Sequence, residues 1–189
     1  MNKSALRQLY KTKRAELPSQ ERLRLDDLML LQFQQFDFSA IQTVLTYWPM
    51  DGQAEPNTHL FSGYLRYRVP GLVMAYPTTD LSSHTMTAFS IHEDTVYHTN
   101  IWGIKEPTEG SVIAPDQIDL VLVPMLICDK MGYRVGYGKG FYDRYLAGCR
   151  QDLVSIGFSY FDPIDKIADT GQFDVPLTYC ITPHQTYEF

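Results

Sequence analysis

Residues whose types and spacing suit phosphate chemistry concentrate between Met131 and Leu146. Gly132, Gly136, Gly138 and Gly140 fall within nine positions, with Arg134 and Lys139 among them. Glycine lets the backbone take positive φ and come close to a ligand. Successive free N–H groups in such a loop form an anion cradle, and a helix starting behind it adds positive potential. Arg134 offers a planar fork of donors that matches phosphate oxygens, which lysine does not copy. Asp143, in the aromatic run that follows, can hold a divalent metal that carries the phosphate. The other reading is a carboxylate stabilised by a helix dipole alone. The glycine spacing fits neither the dinucleotide fingerprint nor the P-loop. It therefore leaves both a phosphate cradle and a plain flexible turn open.

The elements around this stretch must position it. The apolar run Leu120–Val123, closed by Pro124, predicts a buried strand before the glycines, with a helix after them to about Ala147. Upstream, the spacing predicts a helix over residues 2–17. It carries an apolar stripe of Leu6, Leu9 and Tyr10 and a basic stripe of Lys3, Arg7, Lys11 and Arg14. Ser19 is a candidate cap for a second helix to about Gln35, and Asn57 for a third to about Tyr67. Further strands are predicted at 43–48, at 72–75 (stopped by Pro77), at 87–92, at 153–158 and at 179–182, with residues 100–119 as loop. Short apolar strands alternating with helices predict an α/β fold. It is a single open, mainly parallel sheet flanked by helices, in one domain over residues 1–189. Ligands of such sheets bind beyond the carboxyl ends of the strands. That rule gathers the loops after Trp48, Ala75 and Val123 on one rim and sets Glu55 opposite the glycine loop.

The formal net charge of −6 argues against a nucleic-acid partner, which needs a basic footprint. No apolar run approaches the roughly 20 residues that cross a bilayer. The polar, basic N-terminus lacks the apolar core of a secretory signal. Cys128, Cys149 and Cys180, without a C-x-x-C pair, fit reduced thiols and a cytoplasmic location. Cys128, beside Leu126 and Ile127, reads as a buried structural thiol. The five histidines form no pair at zinc spacing.

The stretch from Asp129 to Leu146, DKMGYRVGYGKGFYDRYL, closely resembles the signature of the 5-formyltetrahydrofolate cyclo-ligase family, also called 5,10-methenyltetrahydrofolate synthetases. Other pieces match it in order: Lys3 to Arg7, Glu55 to Thr58, Gly103 to Pro107, Asp119 to Pro124, Ile156 to Phe158, and Asp174 to Thr182. The resemblance implies conversion of 5-formyltetrahydrofolate to 5,10-methenyltetrahydrofolate with ATP and Mg²⁺, releasing ADP and phosphate. The N5-formyl oxygen takes the γ-phosphoryl group, and N10 then attacks the iminophosphate carbon. The implied catalytic pair is Arg134 and Lys139. The implied ATP contacts are Lys3, Arg7, Arg134, Gly136, Gly138, Lys139, Gly140 and Tyr142. The implied folate contacts are Met50, Glu55, Tyr137, Gly138, Lys139, Gly140 and Phe141. Asp143 and Asp174 are the implied metal ligands, although Phe173 stands where the family usually has histidine. Lys11 and Arg14 are expected on a solvated basic face. Trp48 and Trp102 are weaker candidates for stacking on a ring, and Glu106 reads equally as a structural acceptor for loop N–H groups or as a ligand contact. A monomer with small-molecule partners is expected.

Overall fold

The computed structural model describes residues 1–189. In chain order the helices are α1 (Lys3–Glu16), α2 (Ser19–Phe33), α3 (Thr58–Arg68) and α4 (Phe141–Ala147). The strands are β1 (Thr43–Leu45), β2 (Val73–Asp80), β3 (Thr85–Ser90), β4 (Tyr97–Thr99), β5 (Lys105–Pro107), β6 (Val112–Ile113), β7 (Leu120–Val123), β8 (Ile127–Cys128), β9 (Arg134–Val135), β10 (Val154–Phe158), β11 (Tyr179–Ile181) and β12 (Thr186–Glu188). Eight of them form one open sheet in the order β12-β11-β10-β7-β1-β2-β3-β6. The pairings from β11 through β2 are parallel, and β12, β3 and β6 join antiparallel at the two ends.

Alternation along the central strands makes the two layers of core. Val44, Leu120, Leu122 and Phe158 point to one face and pack with Met29, Phe33, Phe61 and Leu65 of α2 and α3. Leu45, Val121 and Val123 point to the other and pack with Phe141, Tyr145 and Leu146 of α4. A strand with apolar residues on both faces fits only the middle of a covered parallel sheet. Leu120–Val123 is buried at every position. The Phe61 and Phe158 rings stack at 3.8 Å.

Several boundaries differ from the sequence reading. Asn57 does cap α3, accepting from the His59 N–H at 3.2 Å. Ser19 does not cap α2: Pro18 occupies the cap position, and the Ser19 hydroxyl accepts from Arg22. Pro77 does not end β2, which runs to Asp80 opposite β3. β1 pairs with β2 only as far as Ala75, so Pro77 lies where β2 has lost that neighbour and a missing N–H is tolerated. Residues 100–119 hold two short strands, β5 and β6, rather than loop alone. A small ribbon, β8 with β9, stands between the buried strand β7 and the glycine loop. This ribbon seats α1: Leu6 and Tyr10 pack on Leu126, Ile127 and Val135.

Candidate functional site

The loops leaving the carboxyl ends of β1 and β7 and the last residues of β2 meet α1 and the glycine loop around a cleft of about 310 Å³. Trp48, Met50, Pro77 and Pro124 line it beside Glu55, Trp102 and residues 136–143. The side chains of Lys3, Arg7, Lys11, Lys105, Arg134 and Lys139 also face it, against only Glu55 and Asp143 of opposite sign. A chain of net charge −6 therefore carries a cationic cleft.

The glycine loop is held from behind. Arg7 donates from Nε to the Gly136 carbonyl at 2.8 Å, and Arg144 donates to the Lys139 carbonyl at 3.0 Å. The backbone N–H groups of residues 136–140 reach no backbone carbonyl. Carbonyls tied down and N–H groups left over are what an anion cradle requires. Gly138 has φ +89°, and a Cβ there would lie 3.0 Å from the Arg7 guanidinium. Only glycine combines that backbone angle with that approach. Gly132 serves the fold instead. A Cβ there would meet the Phe189 ring at 2.9 Å, so this glycine packs the C-terminus. The helix behind the loop, α4, spans seven residues, so the loop N–H groups and the cations carry the anion-binding character.

Arg134 is buried in this structure. Its guanidinium donates to Asp143 Oδ1 at 2.8 Å and to the Val175 carbonyl at 2.5 Å. Burial works against its charge, and the neighbouring Asp143 and Asp174 carboxylates offset that. Val175 N–H also donates to Asp143 Oδ1, at 3.2 Å, which leaves Oδ2 without a protein partner. That free oxygen on the cleft wall suits a Mg²⁺ ion bound mainly through nucleotide phosphates. No group of three or more metal-ligating side chains is present, so an all-protein cage is not what the residues fit. Asp174 is outside the cleft lining, and both of its oxygens are engaged, one by Lys3 Nζ at 2.5 Å and the other by the Gly171 N–H at 2.6 Å.

Opposite the loop, Glu55 is buried. Met50 N–H donates to its Oε2 at 2.7 Å and the Tyr137 hydroxyl donates to its Oε1. Burial pushes its carboxyl above the ordinary range, while the Tyr137 and Met50 donors pull it back. Aromatic walls carry lysines on their faces: Lys105 over Trp48 at 4.7 Å, Lys139 over Trp102 at 5.2 Å and Lys11 over Tyr137 at 5.2 Å. The Tyr142 hydroxyl is buried with no partner, although the side chain borders the cleft.

Comparison with known proteins places this geometry. The 5-formyltetrahydrofolate cyclo-ligase family model matches residues 1–162. The chain belongs to that family. The 5,10-methenyltetrahydrofolate synthetase of Aquifex aeolicus superposes over 100% of this chain and 93% of its own, with TM-score 0.81 at 26% identity. The corresponding synthetase of Mycoplasma pneumoniae superposes over 97% and 99%, with TM-score 0.76 at 27% identity. In sequence, the Haemophilus influenzae cyclo-ligase is 27% identical over 139 residues, 72% of this chain and 73% of that protein. The Mycoplasma pneumoniae cyclo-ligase is 39% identical over 70 residues, which is 43% of that protein's length.

Of the site residues that the cyclo-ligase signature implies, all but Asp174 line one cleft. Of its two readings Glu106 takes the structural one, outside the cleft lining, accepting the N–H of the strand residue Thr79 at 2.9 Å and its hydroxyl at 2.6 Å. One reading of the basic stripe is corrected: Arg14 is 2% exposed, whereas Lys11 is solvent-exposed as expected and also borders the cleft. The signal was present: Leu6, Tyr10 and Arg14 follow at i, i+4 and i+8, so Arg14 continues the apolar face. Arg144, which ties the loop down, had no sequence signal beyond its place in the motif.

Proposed function

We propose that this protein cyclises 5-formyltetrahydrofolate to 5,10-methenyltetrahydrofolate at the expense of ATP. The observation that carries the reading is the meeting, across one cleft, of a glycine loop with unpaired N–H groups and a buried carboxylate walled by aromatic rings. The loop, with Arg7, Lys139 and Lys3, takes the triphosphate. Glu55, Met50, Tyr137 and Phe141 take the folate ring, whose N–H donors match a carboxylate acceptor. The two halves share Gly138 to Gly140, which sets the formyl oxygen near the γ-phosphate.

Phosphoryl transfer to an amide oxygen asks mostly for alignment and charge stabilisation. Lys139 and the loop N–H groups hold the γ-phosphoryl oxygens. Arg134 anchors Asp143 and adds its charge to the same wall. Asp143 would hold Mg²⁺, which when bound neutralises phosphate charge. With the formyl oxygen phosphorylated and ADP released, N10 attacks the carbon and gives up its proton, and the C–O bond breaks, releasing phosphate as the ring closes. The aromatic walls exclude the water that would otherwise hydrolyse the phosphorylated formyl group.

The test is turnover of 5-formyltetrahydrofolate with Mg-ATP, followed by the absorbance of the conjugated methenyl product. Product that requires both ATP and the metal supports the proposal. Folate binding without product under any condition removes it.

A further inference from the structure

Behind the cleft lies a buried chain of hydrogen bonds from α1 to Glu55. Arg14 is 2% exposed, a costly place for a guanidinium unless its donors are satisfied. It donates from Nη1 to the Met125 carbonyl at 3.2 Å and from Nη2 to the Tyr137 hydroxyl, while its buried Nε–H finds no partner, so the two terminal nitrogens carry its hydrogen bonding. Arginine can only donate, so the Tyr137 oxygen accepts, and its single proton goes on to Glu55 Oε1. Every hydrogen in the chain therefore has a fixed direction, and the chain leaves Glu55 an acceptor. The Tyr137 ring itself lies under two cations of α1, Lys11 at 5.2 Å and Arg14 at 5.8 Å.

The interposed tyrosine has a purpose that a direct ion pair would defeat. A guanidinium set against Glu55 would form a two-pronged pair and occupy both oxygens. Here the Tyr137 hydroxyl takes one lone pair of Oε1 and the Met50 N–H takes one of Oε2. A carboxylate has about four such sites, so half its capacity remains for a ligand. Arg14 is absent from the cleft lining, whereas Tyr137 and Glu55 are part of it.

We infer that Arg14 is a positioning residue for ring recognition: through the Tyr137 hydroxyl it fixes the Glu55 carboxylate as a pure acceptor for N–H donors of the bound folate. This rests on the assignment of Glu55 to the folate ring made above.

The experiment is calorimetric binding of 5-formyltetrahydrofolate and, separately, of ATP to the wild type, Arg14→Lys, Tyr137→Phe, Glu55→Gln and the Arg14→Lys/Glu55→Gln double variant. Melting temperatures are recorded for each. Lysine keeps the charge but cannot reach Met125 and Tyr137 together, so Arg14→Lys serves even if Arg14→Ala does not fold. Arg14→Lys is expected to weaken folate binding about tenfold and ATP binding less than about twofold, on the scale of one charged hydrogen bond. Tyr137→Phe should match it. In the Glu55→Gln background the Arg14→Lys change should cost less than about twofold, because its effect passes through Glu55. Equal weakening of both ligands, or an undiminished loss in the Glu55→Gln background, would mean that Arg14 merely supports the fold and would overturn the inference. Wild-type folate binding without cyclisation would remove the proposed reaction and leave this coupling to be judged on its own. Absence of folate binding by the wild type would remove both.

Discussion

The two ends of the cleft carry their charge in different ways. At the glycine-loop end the groups sit in ion pairs: the buried Arg134 with Asp143, and the partly exposed Lys3 with Asp174. At the Glu55 end the charge is buried and locked in a directed chain, Arg14 to Tyr137 to Glu55. In the first arrangement Arg134 and Lys3 already hold carboxylates and must exchange partners to meet a polyanion, while Lys139 holds none. The second is set before any ligand arrives. A flexible, multiply charged ligand suits the first, and a flat ring with fixed donors suits the second.

The largest effect expected from breaking this contrast is at Arg134. Arg134→Ala should lower kcat/KM by about a hundredfold to a thousandfold, the scale of losing one preorganised donor to a developing charge. Steady-state kinetics beside a melting curve checks this. Near-normal turnover in a folded variant removes Arg134 from the reaction.

Next in size is a pair of glycines. Gly138→Ala must place a Cβ 3.0 Å from Arg7 at φ +89°, with a strain of about 1–2 kcal/mol. It should weaken ATP about tenfold and lower the melting temperature by only a few degrees, the size of that strain. Gly132→Ala, where the Cβ meets Phe189 at 2.9 Å and the Leu177 carbonyl at 3.0 Å, should do the reverse. Equal behaviour of the two variants would mean that the loop is a packing feature at both positions.

The acidic side of the pH profile sharpens the Glu55 end. Burial raises the Glu55 carboxyl above the ordinary glutamate range. Folate affinity should therefore decline as pH falls through that raised value, at a higher pH than an exposed glutamate would titrate. Glu55→Gln should flatten the profile. An unchanged acidic limb in that variant would assign it to another group.

The smallest expected effect concerns stability. Asp26 is 3% exposed and accepts from the Tyr160 hydroxyl at 2.9 Å, and the same hydroxyl also reaches the Glu55 carbonyl at 3.3 Å. Burial raises its carboxyl from 3.8 to about 6. Between about pH 6 and pH 4 the folded protein takes up a proton that the unfolded chain, with an ordinary aspartate, does not. The contribution of Asp26 to stability therefore rises as pH falls through that window, and above it the buried charge opposes folding. Asp26→Asn should abolish this component. Between pH 7 and pH 5 the melting temperature of the wild type should shift in its own favour relative to the variant, and a parallel shift in both would exclude Asp26.

Legibility in the sequence followed the range of the forces. The central strand Leu120–Val123 was readable because a fully apolar run has one place to go in an α/β sheet. The Asn57 cap was readable because capping is local. The β8–β9 ribbon was not, since two-residue strands leave no periodicity. Pro77 was misleading because proline stops a strand only where a neighbouring strand needs its N–H, and β1 pairs with β2 no further than Ala75. In the site, the glycine loop and its opposing glutamate could be paired from the strand-end rule. The burial of Arg14 was legible only in part: its spacing from Leu6 and Tyr10 continues the apolar face, but the groups that receive it, Met125 and Tyr137, come from more than a hundred residues away. The pairing of Asp174 with Lys3 likewise joins the two ends of the chain.

The most direct test of the divided cleft is to measure the dissociation constants of ATP alone and of 5-formyltetrahydrofolate alone for the wild type, Arg134→Lys and Glu55→Gln. Arg134→Lys should weaken ATP about tenfold with folate nearly unchanged, and Glu55→Gln should do the opposite. If each variant weakens both ligands by the same factor, the two ends are one site, and the account of separate phosphate and ring recognition is wrong.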